Sequence, residues 1–272
     1  MSKEIQKPIT VGDVAAWLDT KFHPEYQESY DNSGFLLGEH GAEYRGTLVS
    51  LDLTEAVVAE ARSLGLNLIV THHPFIFSGV KRLTDMSDTG RLVMSLIRSG
   101  IAVYAAHTNL DNLAWGVSGE LAKRIGLKNC RTLKPIAADA EGADIGSGTV
   151  GDLPQAVEAD RFLQELKQLL GLPCIRTSDH RSDLPIKRIA LCGGAGSFLI
   201  ADAIAEGADL YLTGDLKYHD FQKTDGHMVL ADIGHYESEQ FAKEIIFRAI
   251  LEKFSNFACR ISETQEGVVK YI

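Results

Sequence analysis

The chain is short of cysteine, of positive charge and of long apolar runs. Its four cysteines, Cys130, Cys174, Cys192 and Cys259, lie far apart and form no CxxC pair. A thiolate zinc site and a disulfide framework both need closely spaced, paired thiols, so neither is expected. Lys plus Arg number 27 against 37 Asp plus Glu, a formal net charge of −10. A general nucleic-acid binder carries a basic surplus, and this chain carries the opposite. That balance leaves room only for a local basic pocket that takes a small anion. No apolar run approaches the ~20 residues of a membrane-spanning helix. The opening MSKEIQKPIT has no apolar core of the kind a signal peptide needs. The expected location is the cytoplasm, with no membrane partner.

What is present is an ordinary globular composition. The 272 residues are 45% hydrophobic and 24% charged, enough apolar content for one large or two ordinary domains. The pattern along the chain is α/β. VGDVAAWLDT (11–20) reads as a short amphipathic helix. GTLVSLDL (46–53) alternates as a strand, Thr54 is placed as an N-cap, and EAVVAEARSLG continues as a helix that stops at Gly65. LNLIVTHH (66–73) is the next strand. A helix around 88–99 leads through Gly100 to a strand over 101–111, and 116–126 is helical. The Gly-rich stretch EGADIGSGTVGDLP reads as a hairpin, followed by a helix after Pro154. PCIRTS is a short strand. IKRIALCGGAG is a strand with a glycine turn, SFLIADAIAEG a helix, and ADLYLTGD and HMVLADIGH are strands. One long helix is expected over 236–254. Strands alternating with helices imply βαβ units with sheets covered on both faces.

AEARSLGLNLIVTHH (59–73) and ADAIAEGADLYLTGD (201–215) align without a gap, and HTNLD (107–111) echoes HYESE (235–239). Helix–Gly–strand is generic to any two βαβ units, but two matches in the same order point to a duplicated α/β unit. The first unit is expected over 1–130 and the second over 131–272.

In open α/β sheets, ligand sites lie outside the carboxyl ends of the strands. The chain puts its polar clusters at such ends: His72 with His73, His107 with Asp111, Asp215 with His219, and His235 with Glu239. Consecutive strand side chains point to opposite faces, so adjacent imidazoles suit two neighbouring ions better than one. A helix beginning near His235 would put His235 and Glu239 on one face, a turn apart. Each residue has a plain alternative, such as a buried hydrogen-bonded histidine, a helix cap or a solvated acid. Together they favour a metal site of imidazole and carboxylate without thiolate. That set suits Zn, Fe, Mn or Co, and a bridging carboxylate suits two divalent ions roughly 3.5–4 Å apart. CGGAGS (192–197) exposes amides before a helix, as a phosphate cradle does. It has no P-loop lysine, so a tight strand–helix turn is the expectation.

The stretches YDNSGFLLG, LIVTHHPFIF, YAAHTNLDNLAWGVS, CGGAGS, YLTGDLKYHD and DIGHYESE span nearly the whole chain. Together they resemble the NIF-three-like dinuclear metal-centre proteins, named as type 2 homologues of GTP cyclohydrolase I. The resemblance implies two similar, intertwined three-layer α/β/α units and a homohexameric ring with metal sites facing an interior cavity. It implies His72, His73, Asp111, His235 and Glu239 as metal ligands, with Glu239 as the bridge. Thr149, within GSGTVG (146–151), stands where the family often carries an arginine. The chain is also too short for the inserted domain of longer members.

His107 is expected to orient a ligand or a water, and His107 or His219 to shuttle protons. Asp215 and Tyr218 are expected to line the site, and Asp52 and Asn32 its rim. The expected activity is metal-dependent hydrolysis of a small nucleotide-like or phosphorylated metabolite, with GTP implied by the family's name. The alternative is a non-enzymatic metal-handling or regulatory scaffold protein.

Overall fold

The structure, a computed structural model, describes residues 8–224, 226–264 and 267–272. Helix α1 (Val11–Phe22) opens on a capping box. Thr10 Oγ1 accepts from Asp13 N, and the Asp13 carboxylate accepts from Thr10 N. Strand β1 (Gly34–Leu37), β2 (Thr47–Ser50), α2 (Glu55–Ser63), β3 (Leu68–Thr71), α3 (Asp88–Ser99), β4 (Ala102–Ala105) and the one-turn α4 (Thr108–Asp111) follow. Next come α5 (Val117–Ile125), β5 (Lys128–Ala138), β6 (Asp144–Glu158), α6 (Ala159–Leu170), β7 (Arg176–Thr177), β8 (Pro185–Ala195) and α7 (Ile200–Ala205). The chain ends with β9 (Leu210–Gly214), β10 (Val229–Asp232), α8 (His235–Glu239), α9 (Ala242–Phe254) and β11 (Cys259–Ile261).

These elements form two compact units. The first is Met1–Leu110 with Ala242–Glu266, and the second is Asp111–Phe241 with Gly267–Ile272. The first holds a five-stranded sheet in the order β1-β4-β3-β2-β11, with β11, β2, β3 and β4 parallel and β1 antiparallel. Strands β2, β3 and β4 are buried at every position, as expected of a parallel sheet covered on both faces. Leu48, Ile69 and Val103 from the sheet pack with Val57 of α2 and Leu96 of α3. Each such side chain contributes about 1.5–3 kcal/mol by leaving water.

The second unit holds a six-stranded sheet in the order β5-β6-β8-β9-β10-β7. Strands β8, β9 and β10 are parallel and β7 is antiparallel to β10. The series β2-β3-β4-β1 in one unit and β8-β9-β10-β7 in the other therefore share order and direction. The sequence echo is a repeat of hydrogen-bonding topology.

Several elements differ from the expectation. The strand expected over 101–111 ends at Ala105, because the chain coils there: Leu110 N donates to His107 O at 2.8 Å. The helix after Pro154 begins at Ala159, because Val157 and Glu158 still pair with Ile186 and Pro185 in the sheet. The long terminal helix is two helices. Phe241 packs in the core of the second unit while α9 belongs to the first, so the helix breaks where the chain passes from one unit to the other. Among the described residues, no helix is long and apolar enough to cross a membrane.

Candidate metal centre

In the first unit, His72 and His73 follow β3 directly, Asp52 follows β2, and His107 follows β4. All lie beyond the carboxyl ends of parallel strands. Backbone bonds fix the double histidine: His72 N and His73 N donate to Leu51 O at 3.1 and 2.9 Å. Thr71 Oγ1 donates to His73 O at 2.7 Å. His72 is fully buried.

Each imidazole commits Nδ1 to an oxygen. His72 Nδ1 lies 2.7 Å from Ala106 O, His73 Nδ1 2.7 Å from Asp52 Oδ1, and His107 Nδ1 2.8 Å from Asp31 Oδ1. A carbonyl or ionised carboxylate can only accept, so Nδ1 carries the proton. In the neutral ring Nε2 then presents a lone pair. The three rings stand 5.0–5.4 Å apart, and one ring nitrogen from each lies within 4.8 Å of the others.

Asp31 was not among the residues expected at the site, yet it holds His107. Its side chain has no solvent exposure. It accepts from His107, from the backbone and hydroxyl of Thr108, and from Ser33 Oγ. Burial alone would raise its pKa, but the bonds from His107 and Thr108 prevail and hold the carboxyl well below the usual range. The YDNSG stretch was the available signal. Asn32 Nδ2 donates to Ile76 O at 2.6 Å and ties the loop that follows the double histidine.

In the second unit, α8 places His235 and Glu239 one turn apart. His235 Nε2 is 3.0 Å from Glu239 Oε2, and its Nδ1 is 2.8 Å from Asp215 Oδ2. The Glu239 carboxylate raises the His235 pKa against the opposing effect of burial, with help from Asp215, to about 9. The position at Nε2 thus stabilises positive charge. Asp111 at the end of α4 brings a carboxylate oxygen within 4.8 Å of one from Glu239. Burial and then the charges of Asp111 and Glu239 push the Cys192 thiol well up.

The CGGAGS turn serves Glu239. A Cβ on Gly194 (φ +63°) would meet Glu239 Oε1 at 2.0 Å. The amides of Gly193, Gly194 and Gly196 donate to Ser118 Oγ, Ser238 Oγ and Thr213 Oγ1. They are spent within the fold, which supports the tight-turn reading over a phosphate cradle.

His219 lies on a 3-10 turn after β9, exposed and edge-on to Tyr218 with ring centroids 5.3 Å apart. Thr149 is buried in mid-strand, paired with Thr132 and Leu191. The donors of each unit are of the kind that fits a divalent cation. The first unit offers three imidazoles whose Nε2 atoms are set by Nδ1 contacts, and the second offers one such imidazole with two buried or half-buried carboxylates. This is the arrangement that oriented metal ligands adopt.

A family model for Duf34/NIF3 (NGG1p interacting factor 3) matches residues 9–267. The GTP cyclohydrolase 1 type 2 homolog of Lactococcus lactis subsp. lactis is 36% identical over 257 residues, covering 90% of this chain and 93% of that one. The Clostridium perfringens protein of the same name is 33% identical over 216 residues, covering 78% and 80%. Among solved structures, a Staphylococcus aureus hypothetical protein matches with a TM-score of 0.90 at 31% identity, covering 97% of this chain and all of that one. A Bacillus cereus protein related to NIF3 also matches with a TM-score of 0.90, at 22% identity and covering 97% and 99%. The second likeness speaks for the fold alone. Motifs, topology and these matches agree: the chain belongs to the Duf34/NIF3 family.

Proposed function

We propose that the chain is a metal-dependent hydrolase in which His72, His73, Asp111, His235 and Glu239 together hold two divalent cations of the Zn, Fe, Mn or Co class. The observation that carries the reading is the shared Nδ1 commitment of the imidazoles, which leaves Nε2 as the ligand atom. Ions bound there would supply Lewis acidity, acidifying water and drawing negative charge from an electrophilic carbon or phosphorus.

The residues then divide the work. Asp52 and Asp215 hold His73 and His235 in register. Glu239 offers two oxygens and would serve as the bridging carboxylate. His107, oriented by Asp31, is the better proton shuttle, since a base needs a fixed direction. His219, on its exposed turn, is the weaker one. The substrate class is a small nucleotide-like or phosphorylated metabolite. The relatives' name points to a purine nucleotide. A homohexameric ring is part of the proposal.

The test is metal content by elemental analysis of wild type and His73→Ala, both purified without added metal. About two ions per wild-type chain, lost in the variant, would support the site. Turnover of nucleotides and phosphoesters would then separate a hydrolase from a metal-handling protein. No metal in either, even after resupply, would overturn the reading.

A further inference from the structure

Asp215 and His235 belong to different turns of the second unit, one after β9 and one after β10. Their 2.8 Å contact therefore needs the two turns to keep a fixed separation. Packing does not supply it, because the Asp215 side chain is 57% exposed. Its backbone is also costly, at φ +56°, in the left-handed region that a non-glycine residue enters only when held there.

Asp232, the last residue of β10, is 6% exposed and sits between the turns. Its Oδ2 accepts from Leu216 N at 2.9 Å, the residue after Asp215. Its Oδ1 accepts from Gly234 N at 2.9 Å, the residue before His235. Arg176 Nη2 donates to Asp232 Oδ2 and also to Leu216 O, the latter at 2.9 Å. One buried carboxylate thus grips the chain immediately beside both partners, and the guanidinium closes the ring of contacts.

We propose that Asp232 is the positioning residue of this half-site: it locks the turn bearing Asp215 to the turn bearing His235 and so aims His235 Nε2. The inference rests on the metal reading for its consequence, but the positioning itself is independent of metal. Asp232 is not assigned as a ligand.

The test compares Asp232→Asn with Asp209→Ala. Asp209 also clamps two backbone amides, Lys187 N and Arg188 N at 2.8 and 2.7 Å, but next to the start of β9. Asp232→Asn loses one of its two acceptors and Asp209→Ala loses the oxygen that takes both amides, so both variants lose a backbone clamp and should lower the melting temperature. Only Asp232→Asn should weaken metal binding, by about 10–100-fold in chelator competition. It alone should also change the visible absorption spectrum of the cobalt-substituted protein. In metal-free protein, the downfield Nδ1–H proton resonance of His235 should be present in wild type and Asp209→Ala and lost in Asp232→Asn.

Equal affinity, an unchanged cobalt spectrum and a retained proton signal in Asp232→Asn would overturn the proposal. If wild type binds no metal, the proposed function falls, and the proton signal still decides the positioning role. Should Asp232→Asn not fold, Arg176→Gln keeps both backbone bonds and should shift the same readouts in the same direction by less. No shift there would count against the proposal.

Discussion

His107 Nδ1 lies 2.8 Å from Asp31 Oδ1, and the Asp31 side chain is sealed from solvent. This pairing fixes the imidazole's direction and tautomer. It is contributed by a loop 76 residues earlier in the chain.

Replacing Asp31 with Asn turns one acceptor into a donor, facing either the His107 donor at Oδ1 or the Thr108 donors at Oδ2. The expected cost is roughly 1–3 kcal/mol of stability, from buried groups left mismatched. Metal content should be unchanged, since Asp31 holds His107 and none of the five proposed ligands. Denaturant unfolding and elemental analysis measured together check this, and loss of metal would make His107 a ligand.

Asp52→Asn should leave the fold intact and weaken metal binding about 10–100-fold, because the imidazole of His73 loses its ionised acceptor. Chelator competition measures it. An unchanged affinity would mean that the 2.7 Å contact does nothing for the site.

Gly194→Ala should be harmful twice over. The left-handed backbone costs a Cβ-bearing residue about 1–2 kcal/mol. The new methyl also occupies the place of Glu239 Oε1, 2.0 Å away. The expected result is a destabilised protein that has lost bound metal. Retention of full metal content would show that Glu239 has another usable position.

Glu60 supplies a pH-dependent tie in the first unit. Its carboxylate accepts from Ser262 Oγ at 2.6 Å, Glu263 N at 3.1 Å and Thr264 Oγ1 at 2.9 Å. Partial burial would raise its pKa, but these bonds win and lower it from the ordinary 4.5. A carboxyl depressed in the folded state contributes stability above its unfolded pKa and loses it as pH falls through the folded value. Unfolding of wild type and Glu60→Gln followed from neutral pH down past 4.5 should show a gap that closes on acidification. A gap independent of pH would contradict the assignment.

Local signals were legible. Thr54 caps α2 by accepting from Val57 N, and Gly100 ends α3 in the left-handed conformation, because a cap depends on residues three or four positions away. His235 and Glu239 were readable as one helix face for the same reason. The two-helix break at Gln240–Phe241 was not, because the residues around it pack in different units and nothing local stops the helix. Strand β11 was also missed. Three residues become a strand only because β2 offers a free edge.

The sequence by itself determined the α/β alternation, the repeated unit, and the histidines and acids at the strand ends. Each is written in periodicity or in neighbouring residues. Tertiary structure alone decided which oxygen holds each imidazole. Asp52 is 21 residues from His73, Asp215 is 20 from His235, and Asp31 is 76 from His107. Those contacts exist only once each sheet sets the ends of neighbouring strands side by side, which no local pattern encodes.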